Sequence, residues 1–201
     1  MAKFQLPAYS RLSNGEILRK AIHISGFAVP LVCVQFCNAS LVCTALFLVT
    51  IVYVASEIAR IKGTNFPLFS IVTRKAAASG LEINHFVTAP ISFATGILLT
   101  LLIFPADIAY ASIAVLTLGD GFACFCGKMF GKTPLFFNRK KSLEGTICGF
   151  ASAFLGATLF VSPLKALVAD VAGMLAECLP SPIDDNMIIP LFAGIALILF
   201  T

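Results

Sequence analysis

The chain has 201 residues, 59% of them hydrophobic and only 12% charged, with a formal net charge of +4. Its mean hydropathy is +0.97. Soluble domains carry about 25% charged residues, so this composition excludes an ordinary water-soluble enzyme. It implies one integral-membrane domain over residues 1–201. The apolar stretches are continuous rather than alternating, which excludes a transmembrane β-barrel and predicts an all-α, polytopic transmembrane bundle of about seven helices.

The helices are expected at roughly 19–37, 40–59, 86–104, 106–127, 144–162, 164–179 and 187–201. The first run follows about twenty polar and basic residues, and no small-residue cleavage site comes after it, so no secretory signal is expected. Arg19, Lys20 and His23 open this run within one turn of each other, a grouping suited to phosphate, to proton handling or to a plain interfacial role. The second run ends with Glu57 and Arg60, an i, i+3 pair on one helix face. Arg74, Lys75 and Glu82 follow in a loop that suits lipid headgroups or the rim of a site. Pro105 and Pro163 mark tight turns between antiparallel neighbours. Lys165, Asp170 and Glu177 interrupt the sixth run, which leaves open whether it spans the membrane fully.

With the N-terminus in the cytoplasm, this topology puts thirteen of the fourteen Lys and Arg residues on the inner side, with Lys165 alone outside. That asymmetry is a positive-inside signal. Glu57, Asp120, Glu144, Glu177, Asp184 and Asp185 gather at the same level from separate stretches of sequence. A site built from helix ends at one water–lipid boundary accounts for both distributions. The seven cysteines (Cys33, Cys37, Cys43, Cys124, Cys126, Cys148 and Cys178) are read as small buried apolar residues. Cys124-Phe-Cys126 lacks the second pair and the spacing of a zinc site.

Residues 119–149 concentrate the chemistry. Asp120 lies between two glycines within an apolar run, where a carboxylate is costly unless it has a partner. Magnesium suits it, because that ion usually joins one or two carboxylates to substrate phosphates. Gly127-x-x-x-Gly131-Lys132-Thr133 has three residues between its glycines where a P-loop needs four. The residue types still suit phosphate: backbone N–H groups near Gly121, Gly127 and Gly131, and charge from Lys128 and Lys132. Lys141-Ser142-x-Glu144-Gly145-Thr146 opens the fifth helix with an N-cap pattern, and helix N-termini bind anions. Glu177 and then Asp184-Asp185-Asn186 precede the last helix, suited to a second metal position or to ribose contacts.

In order along the chain, Arg19-Lys20-x-x-His23, Glu57-x-x-Arg60, Gly119-Asp120-Gly121-x-Ala123-x-x-x-Gly127-x-x-x-Gly131, Lys141-Ser142-x-Glu144-Gly145-Thr146 and Asp184-Asp185-Asn186-x-x-x-Pro190 resemble the CTP-dependent lipid kinases, which include dolichol, phytol and fungal diacylglycerol kinases. The resemblance implies transfer of the γ-phosphate of CTP to a lipid alcohol with a divalent cation such as Mg2+. Asp120, Lys141, Glu144 and Asp185 are the expected catalytic residues. Asp120, Glu144 and Asp184 are the expected metal ligands, and either Glu144 or Asp185 is the expected general base. CTP, the lipid alcohol and the bilayer are the expected partners, with no nucleic acid. The related CDP-diacylglycerol synthases share a similar glycine-rich stretch. Their C-terminal signature is absent here, so phosphatidate cytidylyl transfer is the alternative, and a non-enzymatic transporter or scaffold a more distant one.

Overall fold

Residues 106–130 are apolar nearly all round, the pattern of a helix surrounded by protein rather than lying on a surface. In the computed structural model, which describes residues 14–36, 38–64 and 86–201, they form the central helix. Lys3, Arg11, Cys37, Arg74, Lys75 and Glu82 lie outside the described residues. The helices are α1 (Asn14–Ser25), α2 (Ala28–Phe36), α3 (Ala39–Ile61), α4 (Ala89–Ile103), α5 (Ala106–Phe130), α6 (Leu143–Ala157), α7 (Pro163–Cys178) and α8 (Asp185–Phe200). There is no strand among the described residues.

The predicted first helix is broken at Gly26–Phe27. Pro30 has no N–H for the Gly26 carbonyl and crowds it sterically, so Gly26 O accepts from Val29 N at 3.0 Å instead. The fifth predicted helix stops at Ala157 rather than at 162. Its last turn tightens into i→i−3 bonds ahead of Pro163, from Leu159 N to Gly156 O and from Phe160 N to Ala157 O. The doubtful sixth helix is a full helix, α7.

α5 packs against α1, α2, α4, α6, α7 and α8. Ile108, Ile113, Val115 and Leu116 form the middle of the core with Ile97 of α4 and Ile189 and Leu197 of α8. The buried hydroxyls of Ser112 and Thr117 donate to the carbonyls of Ile108 and Ile113, each at 2.8 Å, so α5 carries them without an unmet polar group. The α5–α6 crossing is close enough to need glycine: a Cβ on Gly149 would stand 2.6 Å from Gly119 O, and one on Gly145 would overlap Ala123 O. Cys126 and Cys148 are joined across this crossing as a disulfide, a pairing that the reading of all seven cysteines as small buried apolar residues does not include. Cys33 and Cys178 are buried free thiols, as that reading has them.

α3 is the outlier, packing chiefly on α4 and α2. Phe47, Leu48, Ile51 and Val52 on it are exposed, a face that belongs in hydrocarbon rather than in water. Among the described residues, three helical stretches are long and apolar enough to cross a membrane: Gly15–Phe36, Ala39–Ile61 and Ala106–Phe130.

Candidate active site

α5 does not run as a regular α-helix. Val115–Asp120 is a π-helical segment, and such insertions concentrate at functional sites. It ends on Asp120, whose carboxylate is buried at 8% exposure. Lys20 of α1 answers that charge, with Nζ 2.7 Å from Asp120 Oδ2. His23, one turn on, has Nδ1 3.3 Å from the same oxygen, without hydrogen-bond geometry. Its ring lies against Phe93 of α4, centroids 4.1 Å apart.

A second charged cluster is built by the loop between α5 and α6. Leu143 N donates to Thr133 O at 2.8 Å and Leu135 N to Lys141 O at 2.9 Å, and Lys141 N closes on Asn138 O at 3.0 Å. This small hairpin-like frame fixes Lys141. Its Nζ is 2.8 Å from Glu177 Oε1 at the end of α7 and 2.8 Å from Asp185 Oδ2 at the start of α8, and it also donates to the Glu177 carbonyl. Burial works against the ammonium, but the charges of Glu177 and Asp185 outweigh it and raise the Lys141 pKa above the ordinary lysine value. Lys141 is therefore cationic throughout the neutral range.

α8 begins with Asp184 as its N-cap, accepting from Asn186 N at 2.9 Å. The other carboxylate oxygen takes Ser92 Oγ of α4 at 2.8 Å, and Asn186 Nδ2 lies 3.5 Å from the same hydroxyl. Gly96 permits this docking, since a Cβ there would overlap the Asn186 carbonyl.

Two cavities adjoin these clusters. One, of about 740 Å³, has Lys20, His23, Asp120, Asp184 and Asp185 at one end and side chains of α3 and α4 beyond them. The other, of about 510 Å³, is lined by Asn138, Lys140, Lys141, Leu179, Pro180, Ser181, Pro182 and Asp185. Ser181, Pro182 and Asp185 line both. The first is within the size range of small-molecule sites, roughly 300–1,000 Å³.

Of the residues singled out in the sequence, Arg19, Lys20, His23, Asp120, Asp184, Asp185 and Asn186 line the first cavity and Lys141 the second. Glu177 joins them through Lys141. The others are used elsewhere. Ser142 caps α6 by accepting from Gly145 N at 3.2 Å and is buried. Glu144 accepts from Thr133 N and Oγ1 at 3.1 and 2.9 Å. Its own backbone N–H and that of Lys132 also donate to it. The first-turn donors of α6 are thus largely occupied within the chain. Gly127 and Gly131 make room for the Ser142 side chain, Gly145 for Gly127, and Gly121 for Ile24 of α1. Thr146 Oγ1 lies 3.6 Å from Cys178 Sγ. Lys128 pairs with Glu16, while Lys132 is exposed and lines neither cavity. Glu57 is a clamp: Arg60 Nη2 lies 2.5 Å from its Oε1, and Val87 N donates to the same oxygen at 2.9 Å, tying α3 to the start of α4.

Sequence reasoning passed over Asn138, Ser92 and Tyr53. Asn138 had a signal, as an amide beside three cations. Ser92 and Tyr53 had none, being single polar groups on apolar helices.

Among the described residues, no three His, Cys, Asp or Glu side chains gather closely enough to hold a metal by themselves. The donor set does fit magnesium, which takes most of its ligands from substrate phosphates and water: Asp120, Asp184 and Asp185 line one cavity.

The chain is similar to plant proteins named as kinases of isoprenoid alcohols. It is 30% identical over 127 residues to a probable chloroplastic phytol kinase of Triticum aestivum, covering 54% of this chain and 42% of that protein. It is 31% identical over 147 residues to a probable chloroplastic phytol kinase of Zea mays, covering 64% and 47%. A chloroplastic farnesol kinase of Arabidopsis thaliana is 33% identical over 107 residues, covering 45% and 35%. The chain thus spans less than half the length of these curated relatives. No family model matches it, and no solved structure does.

Proposed function

We propose that the chain is a membrane lipid kinase that moves the γ-phosphate of CTP to a long-chain alcohol. The observation that carries this reading is the pair of cavities meeting at Asp185, one walled by lysines and one running from carboxylates into apolar side chains. Two substrates of opposite character meet there, as a nucleotide and a lipid alcohol must. The relatives named phytol and farnesol kinase support the same reaction class.

In phosphoryl transfer the protein mainly positions groups and neutralises charge. Lys141 and Lys140, with the Asn138 amide, hold the triphosphate. Asp185, lining both cavities, takes the proton of the alcohol hydroxyl as its oxygen bonds to the γ-phosphorus. The bond from the γ-phosphorus to the bridging oxygen breaks, and CDP leaves. Glu144 is not needed as the base, since its carboxylate is committed to Thr133. Asp120 and Asp184 would hold magnesium, which would supply positive charge to the phosphates. Lys20 keeps Asp120 ionised and in place.

The helices form a polytopic bundle with the N-terminus and this site on the cytoplasmic side, a reading that the distribution of cations supports. The test is transfer of label by purified protein in lipid. With γ-labelled CTP, label appears in phytol or farnesol. Label entering phosphatidate from α-labelled CTP instead would make the chain a cytidylyltransferase.

A further inference from the structure

The apolar arm of the larger cavity is a stripe on α3. Leu46, Val49, Thr50 and Tyr53 line it, at i, i+3, i+4 and i+7, which places them on one helix face. The stripe covers about 10 Å along the axis. Its outer end is beside the charged cluster, where Tyr53 Oη donates to Val87 O at 3.1 Å. Its inner end is Leu46, which packs against the hydrophobic core. Phe93, stacked on His23, forms part of the facing wall. The one hydroxyl partway along, on Thr50, donates back to Leu46 O at 2.7 Å, so it presents no unmet donor to the interior. Polarity therefore falls from Asp120, Asp184 and Asp185 to pure hydrocarbon in one direction.

We infer that this stripe is the chain-measuring wall of the alcohol subsite, and that it admits a single hydrocarbon chain. The inference rests on the kinase reading for the identity of the polar end. The stripe presents one row of side chains, at i, i+3, i+4 and i+7 on a single helix face, and a row of that width suits one isoprenoid tail and not the two acyl chains of a diacylglycerol. Leu46 and Thr50 set how much of the chain is buried.

The experiment compares wild type, Thr50→Phe and Leu46→Ala on farnesol, phytol and diacylglycerol, with the nucleotide KM as a control. Wild type should use both single-chain alcohols and neglect diacylglycerol. Thr50→Phe should lower the phytol-to-farnesol ratio of kcat/KM by at least about tenfold, in the range for a filled hydrophobic subsite. Leu46→Ala should move the ratio the other way, and neither should change the nucleotide KM. An unchanged ratio in both variants, or equal use of diacylglycerol and phytol by wild type, overturns the inference. A diazirine-bearing long-chain alcohol separates it from the reaction class. Phytol-competed labelling near Thr50 in a protein that phosphorylates no alcohol would uphold the subsite and sink the kinase. Labelling elsewhere, with kinase activity intact, would do the reverse.

Discussion

Lys141 reaches 2.8 Å from Asp185 across the junction of the two cavities, so the group proposed to neutralise phosphate also orients the residue assigned to the alcohol proton. Loss of the ammonium should therefore strike nucleotide use first. Lys141→Ala should raise the nucleotide KM by roughly 10- to 100-fold, the equivalent of a charged hydrogen bond worth about 1.5–3 kcal/mol. Lys62→Ala, which removes an exposed cation from the end of α3, should not. Equal small effects from both would reduce Lys141 to a flanking charge.

The raised pKa of Lys141 gives this contribution a pH signature. A cation whose folded pKa is raised contributes fully below its unfolded value, 10.5 here, and loses that contribution only as pH climbs through the raised one. The nucleotide KM should thus show no Lys141 inflection between about pH 6 and 9. An inflection in that window, absent in Lys141→Arg, would mean the ammonium is not held as described.

Asp120 and Lys20 are a buried pair in which each holds the other's charge. Asp120→Asn should cost at least about 10²-fold in kcat, as for loss of a preorganised electrostatic contact, while the protein still inserts. Lys20→Ala leaves the Asp120 carboxylate uncompensated and should destabilise the fold by about 3–5 kcal/mol. Unfolding in detergent measures the second, and turnover at saturating magnesium the first. Near-normal turnover of Asp120→Asn removes Asp120 from the chemistry.

The sequence exposed one half of this site and hid the other, for physical reasons. Asp120, Lys141, Asp184 and Asp185 stood out because charge within or beside apolar runs is costly, so each had to answer to something. Their partners lie far off in sequence: Lys20 meets Asp120 across 100 positions, and no local pattern records that. The π-helical segment had no periodic signal at all. At the start of α6, the cap pattern of Ser142 and Glu144 was legible, but a cap consumes the donors that would otherwise bind phosphate. The apolar wall was hidden for another reason. In a membrane protein a residue facing a cavity and one facing lipid are both apolar, so Thr50 and Val52 look alike until the helix is placed.

Asp170 of α7 is fully buried, and neither carboxylate oxygen has a hydrogen-bond partner among the described residues. It lines neither cavity. A buried polar group without a partner costs on the order of 1–3 kcal/mol, so Asp170→Leu, which removes the polar group and nearly keeps the volume, should raise the thermal midpoint and leave turnover within about twofold. A collapse of turnover with the fold intact would give Asp170 a part in the reaction.

The gathering of the site at one end of the bundle follows from where the helix ends fall. Lys20 and His23 belong to α1, Ser92 to the first turn of α4, Asp120 to α5, Glu177 to the end of α7 and Asp185 to the start of α8. These residues meet only if consecutive helices run in opposite directions and expose one common end. The loop carrying Arg139, Lys140 and Lys141 must then share that end. In sealed vesicles of known orientation, added CTP should be used only when the cytoplasmic face points outward. Arg139→Cys, in a background without other cysteines, should react with an impermeant thiol reagent in those same vesicles, because Arg139 is exposed on that loop. Reaction from the opposite face, with CTP used from the cytoplasmic one, would break the link between Lys141 and the nucleotide. Reaction and CTP use both from the opposite face would instead invert the bundle and leave the site intact.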